Sequence, residues 1–243
     1  MKIKLKQFFH FKADFLAIAF LLAIGLFSSL SLLNTGFIPT HDGEYHIIRF
    51  WQFYKMLSVE NWFPRWAPDL NNGYGVPLFN YVYPLPNYAA AIFHFAGFSF
   101  TDTLKMVLFS GFIFSGFSFY VLLRFFFKPL PALVGSIFYL LAPYHLVDVY
   151  VRGSVGEVWA LAIAPLVLWS GLAKKYLIFS FFLALLIFSH NILALMFVPI
   201  IILILLYYNR HSLHLISYIL FYLVLGLGLS AIFWLPAIIE EKY

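Results

Sequence analysis

Seven apolar segments constrain the fold of this chain more than any other feature of its sequence. The first, ADFLAIAFLLAIGLFSSLSLL at residues 13–33, approaches the roughly 20 apolar residues that cross a bilayer as a helix. The composition, 63% hydrophobic with a mean hydropathy of +0.91, exceeds the roughly half-apolar composition of soluble domains. The sequence therefore predicts an all-α polytopic membrane protein, folded as a single module over residues 1–243. Its predicted spans are about 13–33, 103–123, 130–147, 157–173, 176–190, 192–208 and 214–235.

The start of the chain, MKIKLKQFFHFK, has the basic character of a secretory signal peptide. The apolar segment behind it is too long for such a peptide, and no small-residue cleavage pattern follows. We expect a retained first span with a cytoplasmic N-terminus. The chain has no cysteine, which excludes disulfides and thiolate chemistry.

If all seven segments cross the membrane, the charged residues separate into an inner set and an outer set. Nine of the fifteen basic residues fall in short inner segments, as the positive-inside rule expects: Lys2, Lys4, Lys6, Lys12, Arg124, Lys128, Lys174, Lys175 and Arg210. Nine of the ten acidic residues fall outside: Asp42, Glu44, Glu60, Asp69, Asp102, Asp148, Glu157, Glu240 and Glu241. This sorting predicts function at the outer face, the alternative being a merely solvated surface. The net charge of +5 does not indicate nucleic acid as a partner, because the positive residues are scattered at helix ends.

Two segments leave the topology open. Residues 176–189 would form a helix only about 21 Å long, and could merge with 192–208 into one tilted helix. The polar SHN at 189–191 favours a break between them. The apolar segment 88–100 would reverse the later spans if it crossed, but we interpret it as interfacial or re-entrant.

A large outer loop is predicted over residues 34–102. Within it, EYHIIRFWQFYKML at 44–57 places apolar residues at helical spacing with polar residues between them. The apolar set is Ile47, Ile48, Trp51, Tyr54 and Met56, and the polar set is Arg49, Gln52 and Lys55. This pattern is typical of an amphipathic helix lying at the membrane surface.

The first candidate site is HDGEYH at residues 41–46. Asp42 is placed to cap the following helix, which is a purely structural alternative. Capping does not account for the neighbouring His41, Glu44 and His46. Histidine and carboxylate side chains bind zinc or manganese, but two histidines five positions apart do not share a helical face, so the cluster is not expected to be a complete metal site.

The second candidate site is VYVRGSVGEVW at residues 149–159, in the next outer loop. The guanidinium of Arg152 is suited to bidentate phosphate contact, and Glu157 lies at the mouth of the following helix. An Arg152–Glu157 surface pair is the alternative. His190 and Asn191 are expected at the same face, at the end of the fifth span.

These segments together resemble a known group of membrane enzymes. A first span, a long outer loop opening with an aspartate, and an Arg…Glu second loop resemble the GT-C glycosyltransferase superfamily. More closely, HDGEYHIIRFWQF, NWFPRWAPDLNNGYGVPLFNYVYPLPNY, VRGSVGEVWALAIAPLVLW, SHNILALM and IFWLPAIIE resemble a bacterial and archaeal membrane family. That family is labelled "6-pyruvoyl-tetrahydropterin synthase-related", although the soluble pterin enzyme has no such hydrophobic chain.

The resemblance implies a GT-C-like module in the plasma membrane of a prokaryote. Its members transfer a sugar from a polyprenyl-phosphate donor in the membrane lipid to a glycan, lipid or protein acceptor on the extracytoplasmic face. They are usually longer, so we expect this chain to be the N-terminal part of such an architecture.

The resemblance also implies site residues. Asp42 matches the first-loop acid, as base or metal ligand, and Glu44 and Glu157 join it as catalytic candidates. RGSVGE is similar to the second-loop motif of oligosaccharyltransferases but lacks their paired acids, so only Asp42 and Glu157 are candidates to bind Mg²⁺ or Mn²⁺. The candidates for binding substrate, chiefly the departing phosphate, are His41, His46, Arg49, Arg65, Arg152, His190 and Asn191.

Two other functions stay open at this point. A transporter or lipid flippase is one, because intramembrane polar residues such as His190 and Asn191 often mark substrate paths. A non-catalytic scaffold for envelope assembly is the other.

Overall fold

The computed structural model describes residues 11–241 as an all-helical fold without β-strands in that range. The basic residues Lys2, Lys4 and Lys6 lie outside the described residues. The α-helices within it are α1 Phe11–Ser28, α2 Gly43–Ser58, α3 Leu78–Tyr81, α4 Leu85–Phe95, α5 Phe100–Arg124, α6 Pro129–Leu140, α7 Pro143–Val147, α8 Val155–Leu172, α9 Tyr176–Ser189, α10 Asn191–Asn209, α11 Leu213–Leu229 and α12 Ala231–Glu240. Helix α7 continues as a π-helical turn, Asp148–Arg152, and 3₁₀ turns cover Leu30–Leu33 and Asn71–Gly73.

The helices are those of an integral membrane protein. By length and composition α1, α5, α8 and α10 are able to cross a bilayer. Two bent pairs raise the number of candidate spans in residues 11–241 to six: α6 with Pro143–Arg152, bent by 44°, and α11 with α12, bent by 69°. The remaining predicted span, 176–190, corresponds to α9, which is apolar but has only 14 residues. The structure thus supports four to six spans, and the count of seven stays a prediction.

The helix boundaries follow local chemistry. Pro129 and Pro143 occupy first-turn positions of α6 and α7, where the missing N–H has no cost. The predicted break at 189–191 is present, because His190 is extended and its side chain accepts a hydrogen bond from the Leu193 N–H at the start of α10. Residues 88–95 of the segment 88–100 lie in α4, an 11-residue helix that is not among the candidate spans of residues 11–241, and the segment ends at Phe100, the first residue of α5.

The two central helices, α5 and α8, pack against each other. Helices α1 and α6 cover α5 on one side, where Leu104, Phe112 and Leu140 are buried. Helices α9, α10 and α11 form the other side, with Ile163 and Leu183 in its core. The outer surfaces of the bundle are rich in exposed leucine, isoleucine and phenylalanine, as expected of helices that face lipid.

Side-chain and backbone contacts define two ends of the bundle. At the end that we call the loop end, the Asp42 N–H donates to the Arg152 carbonyl (2.8 Å), and Asn191 Nδ2 donates to the Tyr81 carbonyl (3.0 Å). At the opposite end, Asp14 of α1 is buried against Tyr120 and Arg124 of α5. The acidic residues Asp42, Asp148 and Glu157, which were predicted to be outside, are joined through Arg152 and therefore lie at one end of the bundle. Which end faces the extracytoplasmic side stays a prediction.

Helix α2 forms where the periodicity predicts it, but its faces are used differently from the prediction. Its buried face is His46, Phe50 and Phe53. Gln52, expected between the apolar residues as a solvated polar group, is buried and exchanges two hydrogen bonds with Asp69. The exposed apolar side chains are Tyr45, Ile48 and Trp51. The protein therefore covers one side of α2, and this exposed stripe is what remains for a membrane surface.

Candidate functional site

The two predicted site segments are joined through their backbones. The N–H groups of His41 and Asp42 donate to the carbonyls of Val151 (3.0 Å) and Arg152 (2.8 Å). Gly153 permits this close approach, because a Cβ on it would lie 2.3 Å from Thr40 Oγ1 and its φ is +67°. The contact sets the start of α2 directly beside the segment 149–159.

Arg152 connects two carboxylates. Its Nη1 lies 3.0 Å from Asp148 Oδ1 and its Nη2 lies 2.5 Å from Glu157 Oε1. The Tyr144 hydroxyl also donates to Glu157. Asp148 is fully buried, Glu157 is 7% exposed and Arg152 is 35% exposed. The pair proposed as the structural alternative is therefore present, but it is partly buried and includes a second acid that the sequence argument did not assign to the site.

Asp148 has one oxygen that this ion pair leaves unused. Its Oδ2 is buried and has no hydrogen-bond partner among the described residues. It is one of five buried side-chain polar atoms without a hydrogen-bond partner among the described residues.

His190 completes this side of the site. Its Nδ1 accepts the Leu193 N–H (3.2 Å), so in the neutral ring the proton is assigned to Nε2. That Nε2 lies 4.0 Å from Glu157 Oε1. Burial lowers the pKa of His190, while the nearby Glu157 opposes the shift. The neutral ring can therefore present an N–H toward the carboxylate.

Tyr83 lies at the centre of the cluster and was not found from the sequence. Its ring packs on His190 with centroids 4.9 Å apart, and Gly156 is required beside it, because a Cβ there would lie 2.3 Å from Tyr83 Cζ. Burial raises the pKa of Tyr83 to about 12, and four charged side chains also act on its hydroxyl: Arg49, Asp42, Glu157 and Arg152. Tyr83 therefore lies within electrostatic reach of these four side chains.

The side chains of Asp42 and Arg49 make no hydrogen bond or ion pair with other residues in 11–241. Asp42 is half-buried at the N-cap of α2, yet its carboxylate makes no capping hydrogen bond. Arg49 is half-buried and belongs to none of the ion pairs within residues 11–241. The site thus offers one free hydrogen-bond acceptor and one free bidentate donor.

His46, on the same helix as Arg49, is a buried and neutral side chain. It is 2% exposed and stacks on Phe50 with ring centroids 6.0 Å apart. Burial lowers the pKa of His46 to about 3, and the charges of Arg49 and His190 act in the same direction. At neutral pH this imidazole is uncharged, so it does not add to the positive charge of the site.

Other predicted site residues lie at the edge of the cluster or away from it. His41 and Glu44 are exposed. Asn191 uses its side-chain amide on the Tyr81 carbonyl. Arg65 pairs with Glu240 of α12, which also accepts a hydrogen bond from Asn80 at 2.7 Å. Arg65 is thus engaged with the end of α12.

The arrangement does not fit a metal held by Glu157 together with Asp148. The Arg152 guanidinium bridges Asp148 and Glu157, in the position that a bound cation would take. Within residues 11–241 no group of three or more His, Asp or Glu side chains is placed to hold a metal ion. The predicted binding of Mg²⁺ or Mn²⁺ by Asp42 and Glu157 stays a prediction, and no step below depends on it.

Comparison with known protein families, with curated proteins and with solved structures gave no match. The resemblance to GT-C glycosyltransferases therefore stays a prediction from the motifs. Function has to be argued from the chemistry of the site, since an all-helical membrane fold is compatible with many activities.

Proposed function

We propose that the chain is a membrane glycosyltransferase that takes a sugar from a polyprenyl-phosphate donor at the loop end of the bundle. The observation that carries the proposal is the presence at this end of two side chains without an ion-pair partner among the described residues, the Asp42 carboxylate and the Arg49 guanidinium, both within electrostatic reach of the half-buried Tyr83. A transfer from a lipid phosphate needs an acceptor for a proton and a donor group for the phosphate, and this site offers both.

In the proposed reaction, an acceptor hydroxyl oxygen attacks the anomeric carbon of the donor sugar. The bond between that carbon and the phosphate oxygen breaks, and its electron pair remains on the phosphate. Asp42 takes the proton of the attacking hydroxyl, and Arg49 contacts the phosphate through its planar fork. The acceptor is a glycan, a lipid or a protein, and we assign the loop end to the extracytoplasmic face of a prokaryotic plasma membrane.

Arg152 takes a different role from the one the sequence suggested. Because both of its terminal nitrogens already contact carboxylates, we assign it to positioning Asp148 and Glu157, and the phosphate contact to Arg49. His190 adds an N–H near the same carboxylate. This division explains why two arginines occur at one site.

Transfer from a radiolabelled polyprenyl-phosphate sugar to a cell-envelope extract tests the proposal. The purified chain should move label into the extract, and Asp42→Asn and Arg49→Ala should abolish most of that transfer. The proposal fails if the parent chain binds the donor but label never leaves the lipid in the presence of extract.

A lipid flippase is the second candidate, and one set of observations favours it. Two of the candidate spans are bent pairs, and Asp14 with Arg124 forms a buried ion pair inside the bundle. Broken helices and intramembrane charges are common in transporters. Movement of a fluorescent polyprenyl phosphate across a proteoliposome bilayer, without any transfer, would support this function over the first.

A further inference from the structure

A small cleft lies at the end of the bundle opposite the loop end, where the α8–α9 connection meets the α10–α11 connection. Its volume is about 240 Å³, below the roughly 300–1,000 Å³ of pockets that enclose drug-sized ligands. Its polar lining includes Lys174, His211 and Ser212. The size and the lining suit a small polar group.

The cleft lies in a stretch of chain that has positive but no negative charge. Between Glu157 and Glu240 the sequence contains no aspartate or glutamate, and its lysines and arginines are Lys174, Lys175 and Arg210. None of these three belongs to an ion pair within residues 11–241. In the described part of the chain, no carboxylate therefore competes with an anionic ligand for these cations.

Lys174 is the cation of this group that is available to a ligand in the cleft. The Lys175 Nζ lies 4.8 Å from the centroid of the Trp169 ring, and the Arg210 guanidinium lies 4.3 Å from the centroid of the Tyr207 ring. Arg210 also donates to the Tyr207 carbonyl (3.0 Å). Lys174, by contrast, lines the cleft, is exposed, and makes no side-chain hydrogen bond or ion pair within residues 11–241.

The backbone makes lysine an unfavourable residue at position 174. Lys174 follows Ala173, the C-cap of α8, and its φ is +58°. Glycine and asparagine adopt this left-handed conformation after a helix at little cost, whereas a residue such as lysine is strained there. Strain of this kind often accompanies function, so the lysine side chain is to be explained by what it binds and not by how α8 ends.

The other polar groups of the cleft are hydrogen-bond donors that suit the same anion. The His211 side chain makes no hydrogen bond within residues 11–241 and has a ring N–H to donate. Ser212 Oγ accepts the Leu215 N–H (3.4 Å), which leaves its own O–H free to donate. One ammonium group with an N–H and an O–H beside it is a set of donors suited to the oxygens of a phosphate.

The surroundings of the cleft favour a lipid as the source of that phosphate. Helix α10, which is able to cross a bilayer, ends at Asn209 in the lining of the cleft. The cleft therefore lies where a lipid headgroup would lie. Tyr208 also lines it and is 42% exposed, as is typical of tyrosine at a membrane–water interface. Leu213, one residue after Ser212, is 84% exposed and offers apolar contact to an acyl chain.

We infer that this cleft binds the phosphate of an anionic phospholipid in the leaflet opposite the loop end. Lys174 forms the ionic contact, and His211 and Ser212 donate hydrogen bonds. With the loop end assigned to the extracytoplasmic face, this leaflet is the cytoplasmic one, where anionic lipids attract basic residues beside spans. The site does not depend on the proposed sugar transfer, because it lies at the other end of the bundle.

Native mass spectrometry of the full chain in a neutral detergent tests the inference with phosphatidylglycerol. The detergent has no charged surface, so a retained lipid reports a site and not a general attraction to an anionic membrane. Phosphatidylglycerol should be retained in preference to phosphatidylcholine, whose choline cation is unfavourable beside Lys174. Lys174→Asn should weaken the binding of phosphatidylglycerol roughly fivefold or more. The same variant should be at least as stable as the parent in reversible unfolding, because asparagine accepts the left-handed backbone.

Lys175→Asn is the matched control. It removes the same charge one residue away, but Lys175 does not line the cleft, so the binding of phosphatidylglycerol should be nearly unchanged. Equal losses in the two variants, or equal retention of phosphatidylcholine by the parent, would overturn the inference. Inorganic phosphate at the concentration of the lipid should not displace phosphatidylglycerol. Displacement would overturn the assignment to a lipid and would indicate a site for soluble phosphate.

Discussion

Removing Arg152 should destabilise the fold clearly, because it leaves two buried carboxylates without a cation. Asp148 is fully buried and Glu157 is 7% exposed. Breaking a buried ion pair from one side typically costs about 3–5 kcal/mol. The Arg152 side chain is 35% exposed, so solvent screens part of the interaction and the expected loss for Arg152→Ala is smaller, about 2–3 kcal/mol. Lysine has one ammonium group and cannot bridge both acids, so Arg152→Lys should show roughly half of that loss.

Reversible unfolding in bicelles measures this loss, with Arg65→Ala as the matched control. Arg65 also pairs with a glutamate, Glu240, but both side chains are well exposed, so its removal should cost less than the removal of Arg152. Adding Glu157→Gln to Arg152→Ala should restore part of the stability, because the cost arises from an uncompensated buried charge on Glu157. An Arg152→Ala protein no less stable than Arg65→Ala, with no recovery on neutralising Glu157, would show that the bridge does not contribute as argued.

Three further predictions concern catalysis, pH and topology. Asp42→Asn should insert and purify normally, since the Asp42 carboxylate makes no capping hydrogen bond, while transfer falls by roughly a hundredfold or more; near-normal transfer would remove Asp42 from the mechanism. The pKa of His46 is about 3 in the fold against 6.5 in the unfolded chain, so the unfolded state binds the extra proton between these values and stability should fall as pH drops from 6.5 toward 3. His46→Gln should weaken this dependence of the unfolding midpoint on pH, and replacement of the exposed His41 should leave it intact. Single cysteines placed at Asp42 and Glu240 should react with a membrane-impermeant thiol reagent from one side of the membrane, and a cysteine placed at Lys174 should react from the other side. If the cysteines at Lys174 and Asp42 react from the same side, the segment 88–100 is a true span.

The elements that could be predicted from the sequence are those with a local signal. Helix α2 follows from a period of 3.6 residues, and the break before α10 follows from a polar SHN between apolar runs. The number of spans does not follow in the same way. Helix α9 is as apolar as its neighbours but shorter, and sequence alone does not say whether a short helix crosses, tilts or joins the next one.

The site was only partly accessible to sequence reasoning because its contacts are long-range. Asp148 lies one helical turn before Arg152, and that i,i+4 spacing was a usable signal. Tyr83 had no local signal, since its partner Gly156 is in another outer segment. The pairing of Arg65 with Glu240 joins residues 175 positions apart. Such contacts depend on how the helices pack, which no pattern within one segment specifies.

Polar residues gather at helix ends in any membrane protein, because free backbone groups there need partners. His190 illustrates this, since it occurs in the cluster but also caps α10. A polar residue at a helix end is therefore weak evidence of function when its side chain forms a hydrogen bond with a backbone group of that helix. Asp42 differs, because its carboxylate makes no capping bond, and Asp148 differs, because one buried oxygen has no partner among the described residues. A fold that needed these acids only for structure would gain stability by using those atoms. The unused, half-buried carboxylate of Asp42 is consequently stronger evidence for a ligand at the loop end than the number of charges collected there.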